Sequence, residues 1–586
     1  MSIISLLKSD SYKFSHIGMF VPNTKLVYSH LTPRTNMFLK QMYPDIPNTV
    51  ITFGMQYVVR SIVEDWNETF FSKPWESILE EIYSLLGPHL SYQSTTELDN
   101  FKQLHELGYL PIHVKALPEG IEVPLNIPVL TIKNTHDDFF WFTNQLEPII
   151  INQIYRPMTV ATIGRMFAKL RNKYFDLTCE DNDSFRDFAL HDFSFRGHSG
   201  WESAMMASMA LSLYTKGTDT VVGLHGMKHY YDATETCYSL SATEHSVTSQ
   251  GILWYANMAT NFLAQEDLED ILAIYPEFKS ISYLEELRTI VYTSQDMYGK
   301  RLTLDEMQLL QGELINLYRL LAIEYPTGML AYVIDTFNTY NFANKIVPLL
   351  KDVILRREGK FILRPDSGVP EEVVLGLDKT VLAYIDSLPN GSLYRNCDIS
   401  YYKDDKGESH QLVKTEITYN VNDYVKGIIK SLADTFGTTT NSKGYQELPP
   451  QIGLVYGDGI NYEAMSKIYQ GLEAKGYAVN CICMAMGAWV LSGSITRDSL
   501  GFAIKASQTK IGDIYQPVYK QPIADSFKKS PSGFLSVTDI AGRIMCIPNV
   551  TEEQEKGGML RTILLDGKFS NQHTYDELRE EIKALI

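Results

Sequence analysis

The sequence predicts an α/β protein: an irregular TIM-like α/β barrel with an α+β N-terminal domain containing an antiparallel sheet, plus two insertions. Three observations predict it. From about residue 185, short apolar runs recur, and several end in charged or glycine-rich residues, as buried parallel strands do at the active face of a barrel. Helical-looking stretches separate many of these runs. Ahead of them, residues 114–135 alternate strand-like segments with proline and glycine breaks, the pattern of an antiparallel sheet. An open doubly wound sheet would give a similar succession of runs.

Taken in order, KLVYSHLTPR (25–34) reads as a strand ending at a turn. VKALPEGIEVPLNIPVLTIKNT reads as successive antiparallel strands, broken at Pro118-Glu119-Gly120 and at Pro128. DFFWFTNQLEPIIINQIY (138–155) predicts an apolar helix that hands the chain to a second domain. Parallel strands are expected in DFAL, before His191-Asp192-Phe193, and in DTVVGL (219–224), beside Lys216-Gly217-Thr218. Others are MLAYVI (329–334) before Asp335, KFIL (360–363) before Arg364-Pro365-Asp366-Ser367-Gly368, and IGLVY (452–456) before Gly457-Asp458-Gly459. TLDEMQLLQGELINLYRLLAIEYP (303–326) opens with a capping-box pattern, Thr303 to Glu306. Its Met307, Leu310, Leu314, Leu317 and Leu321 keep helical spacing, so it predicts an amphipathic helix. It belongs to an insertion at about 255–326. A second insertion, at about 376–440, carries mixed charge, Asp/Lys/Gly turns and the alternating run QLVKTEITYNV. Both are expected to be surface decoration, ahead of the alternatives of extending a dimer interface or shielding the site. TYDELREEIKALI repeats the capping box, Thr574 to Glu577, and predicts a final helix. The expected domains are 1–150, completed by segments after about 505; the barrel, 151–505; and 506–586, packing on the N-terminal domain.

A chain of 586 residues is long enough for two or three domains, and 45% hydrophobic with 12% aromatic residues supplies a sizeable core. The formal net charge of −18 argues against nucleic acid as a partner, because phosphate backbones need clustered Lys and Arg. Small anionic ligands need only a locally positive pocket. No apolar run approaches membrane-helix length, and MSIISLLKSDSYKF lacks the basic-then-apolar layout of a leader, so a cytoplasmic protein is expected. The six cysteines are sparse and read as reduced thiols. Cys481 and Cys483 are expected to be buried strand residues rather than metal ligands.

The chemistry concentrates at the ends of the apolar runs. In HDFSFRGHSG (191–200), Phe193 offers a flat face to an aromatic heterocycle, and Arg196 offers a bidentate fork to a phosphate or amide oxygen. Taken alone, these residues read rather as core, with Arg196 capping a helix. Asp219 stands beside a tight turn. Arg364, Asp366 and Ser367 share one turn, and Asp458 is flanked by Gly457 and Gly459, which let a backbone approach a ligand. Carboxylates at such turns suit ribose hydroxyls or Mg²⁺, and arginines with backbone N–H groups suit phosphates. In SATEHS (241–246), His245 follows Glu244 among small residues, and histidine can serve as nucleophile as well as base.

In this order, SDSYKFSH (9–16), HDFSFRG, KGTDTVVG, EHS (244–246), ILRPDSG, NSKGYQELPPQIGLVYGDGI (441–460), TRD (496–498) and KQPIADSFKKS (520–530) resemble the nicotinamide phosphoribosyltransferase family, type II phosphoribosyltransferases. The resemblance spans nearly the whole chain apart from the insertions. It implies transfer of a phosphoribosyl group from phosphoribosyl pyrophosphate to nicotinamide, with Mg²⁺ and with ATP as coupling substrate, in a homodimer. It implies that Phe193 stacks on nicotinamide, that Tyr12 of a partner subunit, beside Asp10, covers the other face, and that Arg196 and Asp219 hold the amide. Arg364, Asp366, Ser367, Gly457, Asp458 and Gly459 would bind the phosphoribosyl group, with Asp366 also a candidate Mg²⁺ ligand. Arg34, Arg497 and Lys505 would complete the phosphate site, with Lys520 and Lys528 as weaker candidates. His245 would accept a phosphoryl group from ATP, its ring oriented by Glu244 and Asp335.

The chain departs from the family at Met484-Ala485-Met486-Gly487-Ala488-Trp489, where a glycine-rich phosphate loop is expected and Gly487 and Ala488 would supply the backbone N–H groups. Asn461 stands where an acid is usual. The nearest rival reading is nicotinate phosphoribosyltransferase, against which Asp219 argues by charge. A catalytically silent relative and an unrelated sugar-phosphate barrel enzyme are the others.

Overall fold

The computed structural model describes residues 3–90, 95–298, 302–377, 399–403, 409–413, 421–493, 495–521 and 530–586. Lys528 and most of the 376–440 insertion lie outside the described residues. The fold is mixed α/β. Contacts divide the chain into two compact units: Met1–Lys169 with Ser194–Cys237 and Ala488–Ile586, and Leu170–Phe193 with Tyr238–Gly487. These divisions fall at other places than the expected boundaries near 150 and 505.

In chain order the strands that frame the two large sheets are β1 (Thr24–Thr32), β2 (Ile112–Ala116), β3 (Leu130–Asn134), β4 (Leu190–Asp192), β5 (Ser241–Ala242), β6 (Leu330–Val333), β7 (Phe361–Arg364), β8 (Ile452–Tyr456), β9 (Ile482–Met486), β10 (Ala503–Ile511), β11 (Ile514–Pro517), β12 (Arg561–Leu565) and β13 (Lys568–Phe569). The first unit holds an antiparallel sheet of order β11-β10-β1-β3-β2-β12-β13. β1 lies at its heart, with His30 opposite Thr131 on one side and Lys505 on the other. The breaks at Pro118-Glu119-Gly120 and Pro128 separate strands as expected, with a short strand, Glu122–Pro124, between them. The C-terminal region is bound in by an ion pair of buried side chains, Lys115 to Glu555 at 2.9 Å. The helix expected at 138–155 is α1 (Phe142–Thr178), and its 37 residues carry the chain from the first unit into the second.

DTVVGL is not a strand. Val221–Tyr231 form a helix, and the strand-like residues are Gly217–Thr218 just before it. The reason lies in two glycines one helical turn apart. A side chain at Gly223 would strike Ser208, and one at Gly226 would strike Met205 and Met209, so both glycines bed this helix against the helix Trp201–Leu211.

The second unit contains a parallel half-barrel of order β4-β9-β8-β7-β6-β5. Every residue of β8 is buried, as a strand covered on both faces requires. Two helices flank its β5–β6 end in sequence: α2 (His245–Ala264) and α3 (Leu304–Arg319). The capping box of Thr303 and Glu306 is present in α3. The expectation of surface decoration fails here. Leu310 to Tyr318 are all buried, including Gln311, Gly312, Glu313 and Asn316. Gly312 lets α3 close onto the backbone at Ile252 and Ala256 of α2, and Gly251 of α2 receives the Asn316 amide. Asn316 also donates to the Tyr332 hydroxyl of β6 at 3.1 Å. The helix is therefore core. The final helix, Tyr575–Lys583, has the Thr574–Glu577 capping box. No described helix is long and apolar enough to cross a membrane.

Candidate active site

The parallel strands deliver their functional side chains at their C-terminal ends, where a parallel sheet places its loops. Phe193 follows β4. Its N–H donates to Met486 O at 3.1 Å, and its half-buried ring packs on Ala331, Ile362, Val455 and Ala485, one residue from each of β6 to β9. The ring thus forms an apolar floor beside the strand ends. His191, two residues earlier, lies 4.6 Å from it between ring centroids.

Arg364 ends β7, and Asp366 follows in the turn. Their ion pair, Nη2 to Oδ2, is 3.2 Å long. Arg364 Nε and Asp366 Oδ1 are both buried without a partner among the described residues. Buried polar atoms are almost always satisfied, so this orphaned donor and acceptor mark places for ligand atoms. Burial raises the Asp366 carboxyl above its ordinary value; Arg364 and His245 oppose the rise, and Asp335 adds to it. Gly457, after β8, stands directly over Asp366: a Cβ there would collide with Oδ1. Its N–H donates to Pro365 O at 3.3 Å, and the Tyr456 hydroxyl donates to Ser367 O at 3.0 Å, so the two turns are sewn together. Asp458 and Gly459 are exposed beyond them. A single orphaned carboxylate oxygen fits a ribose hydroxyl, or one position on a Mg²⁺ ion that keeps most of its shell as water and phosphate oxygen.

His245 is the first residue of α2, so its imidazole stands at the positive end of a 20-residue helix. Its Nε2 lies 3.1 Å from Asp335 Oδ1, which follows β6. The ring is half exposed, whereas the Asp335 side chain is 5% exposed. Glu244 does not reach the ring by hydrogen bond; its carboxylate accepts from the Ser246 hydroxyl at 2.5 Å. Behind Asp335 is a residue that the sequence reading missed. Glu313 of α3 is 1% exposed, and its Oε1 has no partner among the described residues. Burial drives its acid well above the ordinary carboxyl range, and the Asp335 charge adds to the rise. A glutamate amid helical polar residues looks solvated in sequence, so only the flanking Gly312 hinted at close packing.

The remaining candidates belong to the first unit. Arg34 follows β1; its Nε donates to Gly501 O at 2.9 Å and its N–H to Leu500 O at 2.9 Å. Gly501 takes a left-handed backbone, φ +61°, with Thr35 pressed against it, so glycine is required there. Arg497 lies in the preceding turn, exposed and paired with Asp498, and Lys505 lies on β10. Arg34 thus meets the turn that joins Arg497 to β10, the strand that carries Lys505. Asp10 immediately precedes a 3₁₀ turn, Ser11–Ser15, that carries the exposed Tyr12. Arg196 and Asp219 are exposed, and Gly197 permits Ala488 to pack on the Arg196 turn. Gly487, by contrast, has open space where its side chain would be. Lys520 is exposed. Asn461 caps the helix Tyr462–Ala474, its Oδ1 accepting from Ala464 N at 2.9 Å. A short polar acceptor is what that position needs, and Asn serves it as well as an acid. Cys481 is buried and Cys483 half-buried; burial pushes the Cys481 thiol far up, which disfavours the thiolate a metal would need.

A half-barrel whose strand ends carry an orphaned Arg–Asp pair, a histidine–carboxylate pair and an apolar ring is the layout of a phosphoribosyl-transferring enzyme. Residues 326–568 match the nicotinate phosphoribosyltransferase (NAPRTase) family. The nicotinamide phosphoribosyltransferase of Acinetobacter baylyi (strain ATCC 33305 / BD413 / ADP1) is 27% identical over 587 residues, covering 98% of this chain and 96% of the relative. That of Mycoplasma pneumoniae (strain ATCC 29342 / M129 / Subtype 1) is 26% identical over 547 residues, covering 90% and 94%. The crystal structure of human nicotinic acid phosphoribosyltransferase superposes with a TM-score of 0.51 at 13% identity, covering 98% of this chain and 93% of that one, which supports the fold. The chain is thus similar to this family over residues 326–568 and to these enzymes over nearly its whole length, and it is a pentosyltransferase enzyme.

Proposed function

We propose that this enzyme joins nicotinamide to phosphoribosyl pyrophosphate, giving nicotinamide mononucleotide and pyrophosphate in NAD salvage, and that ATP drives the reaction through a phosphohistidine at His245. The observation that carries the reading is the buried Arg364–Asp366 pair, with one unsatisfied atom on each partner, beside the side-chain-free Gly457.

The pyridine nitrogen has a free lone pair, so no base is needed to expose it. It attacks the ribose C1 as the C1–O bond to pyrophosphate breaks and the electron pair leaves with the pyrophosphate. The barrier lies in the oxocarbenium-like carbon and the charge gathering on the leaving group. Asp366 takes the ribose hydroxyls through Oδ1, and Arg364 Nε a phosphoribosyl oxygen. Arg34, Arg497 and Lys505 neutralise phosphates. When bound against Asp366 and the phosphates, Mg²⁺ supplies further stabilisation of the departing charge. Phe193 and Tyr12 of a partner subunit sandwich the pyridine, with Asp10 beside that ring, in a homodimer. Arg196 and Asp219 hold the carboxamide: Asp219 accepts from its NH₂ group and repels the carboxylate of nicotinate. Ser367, Asp458, Gly459, Gly487 and Ala488 line the phosphoribosyl site.

For the ATP step, Nε2–H donates to Asp335, which leaves the lone pair on Nδ1. That nitrogen attacks the γ-phosphorus of ATP and ADP departs. The start of α2 favours the added negative charge. The protein works in the cytoplasm.

The test is a product assay with phosphoribosyl pyrophosphate and Mg²⁺, offering nicotinamide or nicotinate, with and without ATP. Nicotinamide mononucleotide and pyrophosphate should form, faster with ATP. Turnover of nicotinate alone would refute the base assignment and favour the rival reading that the family name and the human structure suggest.

A further inference from the structure

Outside every motif that carried the function, one carboxylate in the first unit joins two candidate substrate contacts. Glu147, in the first turns of α1, accepts from Lys13 Nζ at 2.8 Å through Oε2, while its Oε1 lies 3.5 Å from Lys505 Nζ. Lys13 is 5% exposed, so its ammonium is out of water and depends on Glu147 and on Asn144 Oδ1, at 3.2 Å. Lys13 directly follows Tyr12, and its Nζ stands 5.6 Å from the centre of that ring. The same helix reaches the other end of the turn: Asn144 Nδ2 is 2.6 Å from His16 Nδ1, and the His16 ring lies 5.2 Å from the Tyr12 ring. Two residues of α1 one helical turn apart thus hold the 3₁₀ turn at Lys13 and at His16, while Tyr12 projects, 56% exposed.

Lys505 is held differently. Its Nζ donates to the Ile504 carbonyl at 2.7 Å, and the carboxylate that meets it is Glu147. Across the sheet from it stands His30, kept neutral with its pKa pushed down to about 4 by burial and by the Lys505 charge. The carbonyl and the Glu147 carboxylate thus hold this cation from two sides.

We propose that Glu147 is a positioning residue that fixes the Tyr12 ring and the Lys505 cation together, so that this face presents its pyridine contact and its phosphate contact as one rigid pair. The proposal rests on the reading of Tyr12 and Lys505 as substrate contacts given above.

The test is Glu147→Gln in the full-length enzyme, with kinetics for each substrate and double-mutant cycles against Tyr12→Ala and Lys505→Gln. KM should rise about fivefold for nicotinamide and for phosphoribosyl pyrophosphate, with kcat held within about twofold. In the Tyr12→Ala background the change should leave the nicotinamide KM unaltered, and in the Lys505→Gln background the pyrophosphate-sugar KM. A fall in kcat at constant KM, or additive effects in both cycles, would overturn the proposal. If the buried Lys13 prevents Glu147→Gln from folding, Lys13→Met/Glu147→Leu replaces the pair by apolar groups and should still weaken phosphoribosyl pyrophosphate about fivefold; wild-type affinity in that variant would overturn it. Calorimetric titration with phosphoribosyl pyrophosphate reads the same loss without turnover, so an inactive wild-type enzyme would count against the proposed function while this outcome is still decided.

Discussion

Gly457→Ala adds one carbon at the centre of the proposed phosphoribosyl site. That carbon would overlap Asp366 Oδ1 and come within 3.7 Å of the Arg364 Cγ. An ordinary carbon–oxygen contact is about 3.3 Å or more, so the carboxylate has to move by on the order of 1 Å. The backbone of Gly457 is outside the left-handed region, so alanine brings no backbone strain and the whole effect passes through Asp366. A misplacement of that size at a positioning group costs about 100-fold, or about 2.7 kcal/mol of transition-state stabilisation. Pyrophosphate release at varied phosphoribosyl pyrophosphate should show kcat/KM down by about that factor, with the unfolding midpoint close to wild type. Unchanged kcat/KM in a folded variant would refute the geometry of the Arg364–Asp366–Gly457 cluster as a sugar-phosphate site.

Three further outcomes are expected. His245→Ala should keep basal synthesis and lose stimulation by ATP, read as the rate ratio with and without ATP; intact stimulation would remove His245 from the coupling step. Asp219→Asn should narrow the preference for nicotinamide over nicotinate, since a like-charge rejection disappears; an unchanged ratio of kcat/KM values would contradict it. Glu313→Gln should stabilise the protein increasingly as pH rises. The folded-state pKa of Glu313 is raised, so in the wild type the unfolded chain gives up this proton first, and stability is lost from the ordinary carboxyl range up to the folded pKa. The gap between variant and wild type should widen by about 1.4 kcal/mol per pH unit in that window, measured by chemical denaturation; a constant gap would mean that Glu313 is ionised in the fold.

Several strands were legible where an apolar run met a turn. IGLVY is β8 in full, and the chemistry at its end lies where a parallel strand must put it. DTVVGL was misread because Val-Val suits a strand, while the deciding contacts of Gly223 and Gly226 are with residues upstream in the chain. In α3 the leucine stripe gave the helix, but Gln311, Glu313 and Asn316 looked solvated. Their burial depends on Gly251 and Gly312 drawing two helices together, which helical spacing does not encode. The same holds at the site. Arg364 and Asp366 announce themselves as a turn, yet their unsatisfied atoms and the space above them appear only once β7 and β8 lie side by side. Lys13 and Glu147 are far apart in sequence, and neither spacing nor composition pairs them.

In the antiparallel sheet, the two flanks of β1, β3 and β2 are occupied by β10 and β12. β1, β2 and β3 therefore leave the ribosome with both borders bare and wait until β10 and β12, far downstream, have been made. Such naked borders invite pairing with other nascent chains, so biosynthesis of this enzyme carries a long interval of aggregation risk in which chaperone cover matters most.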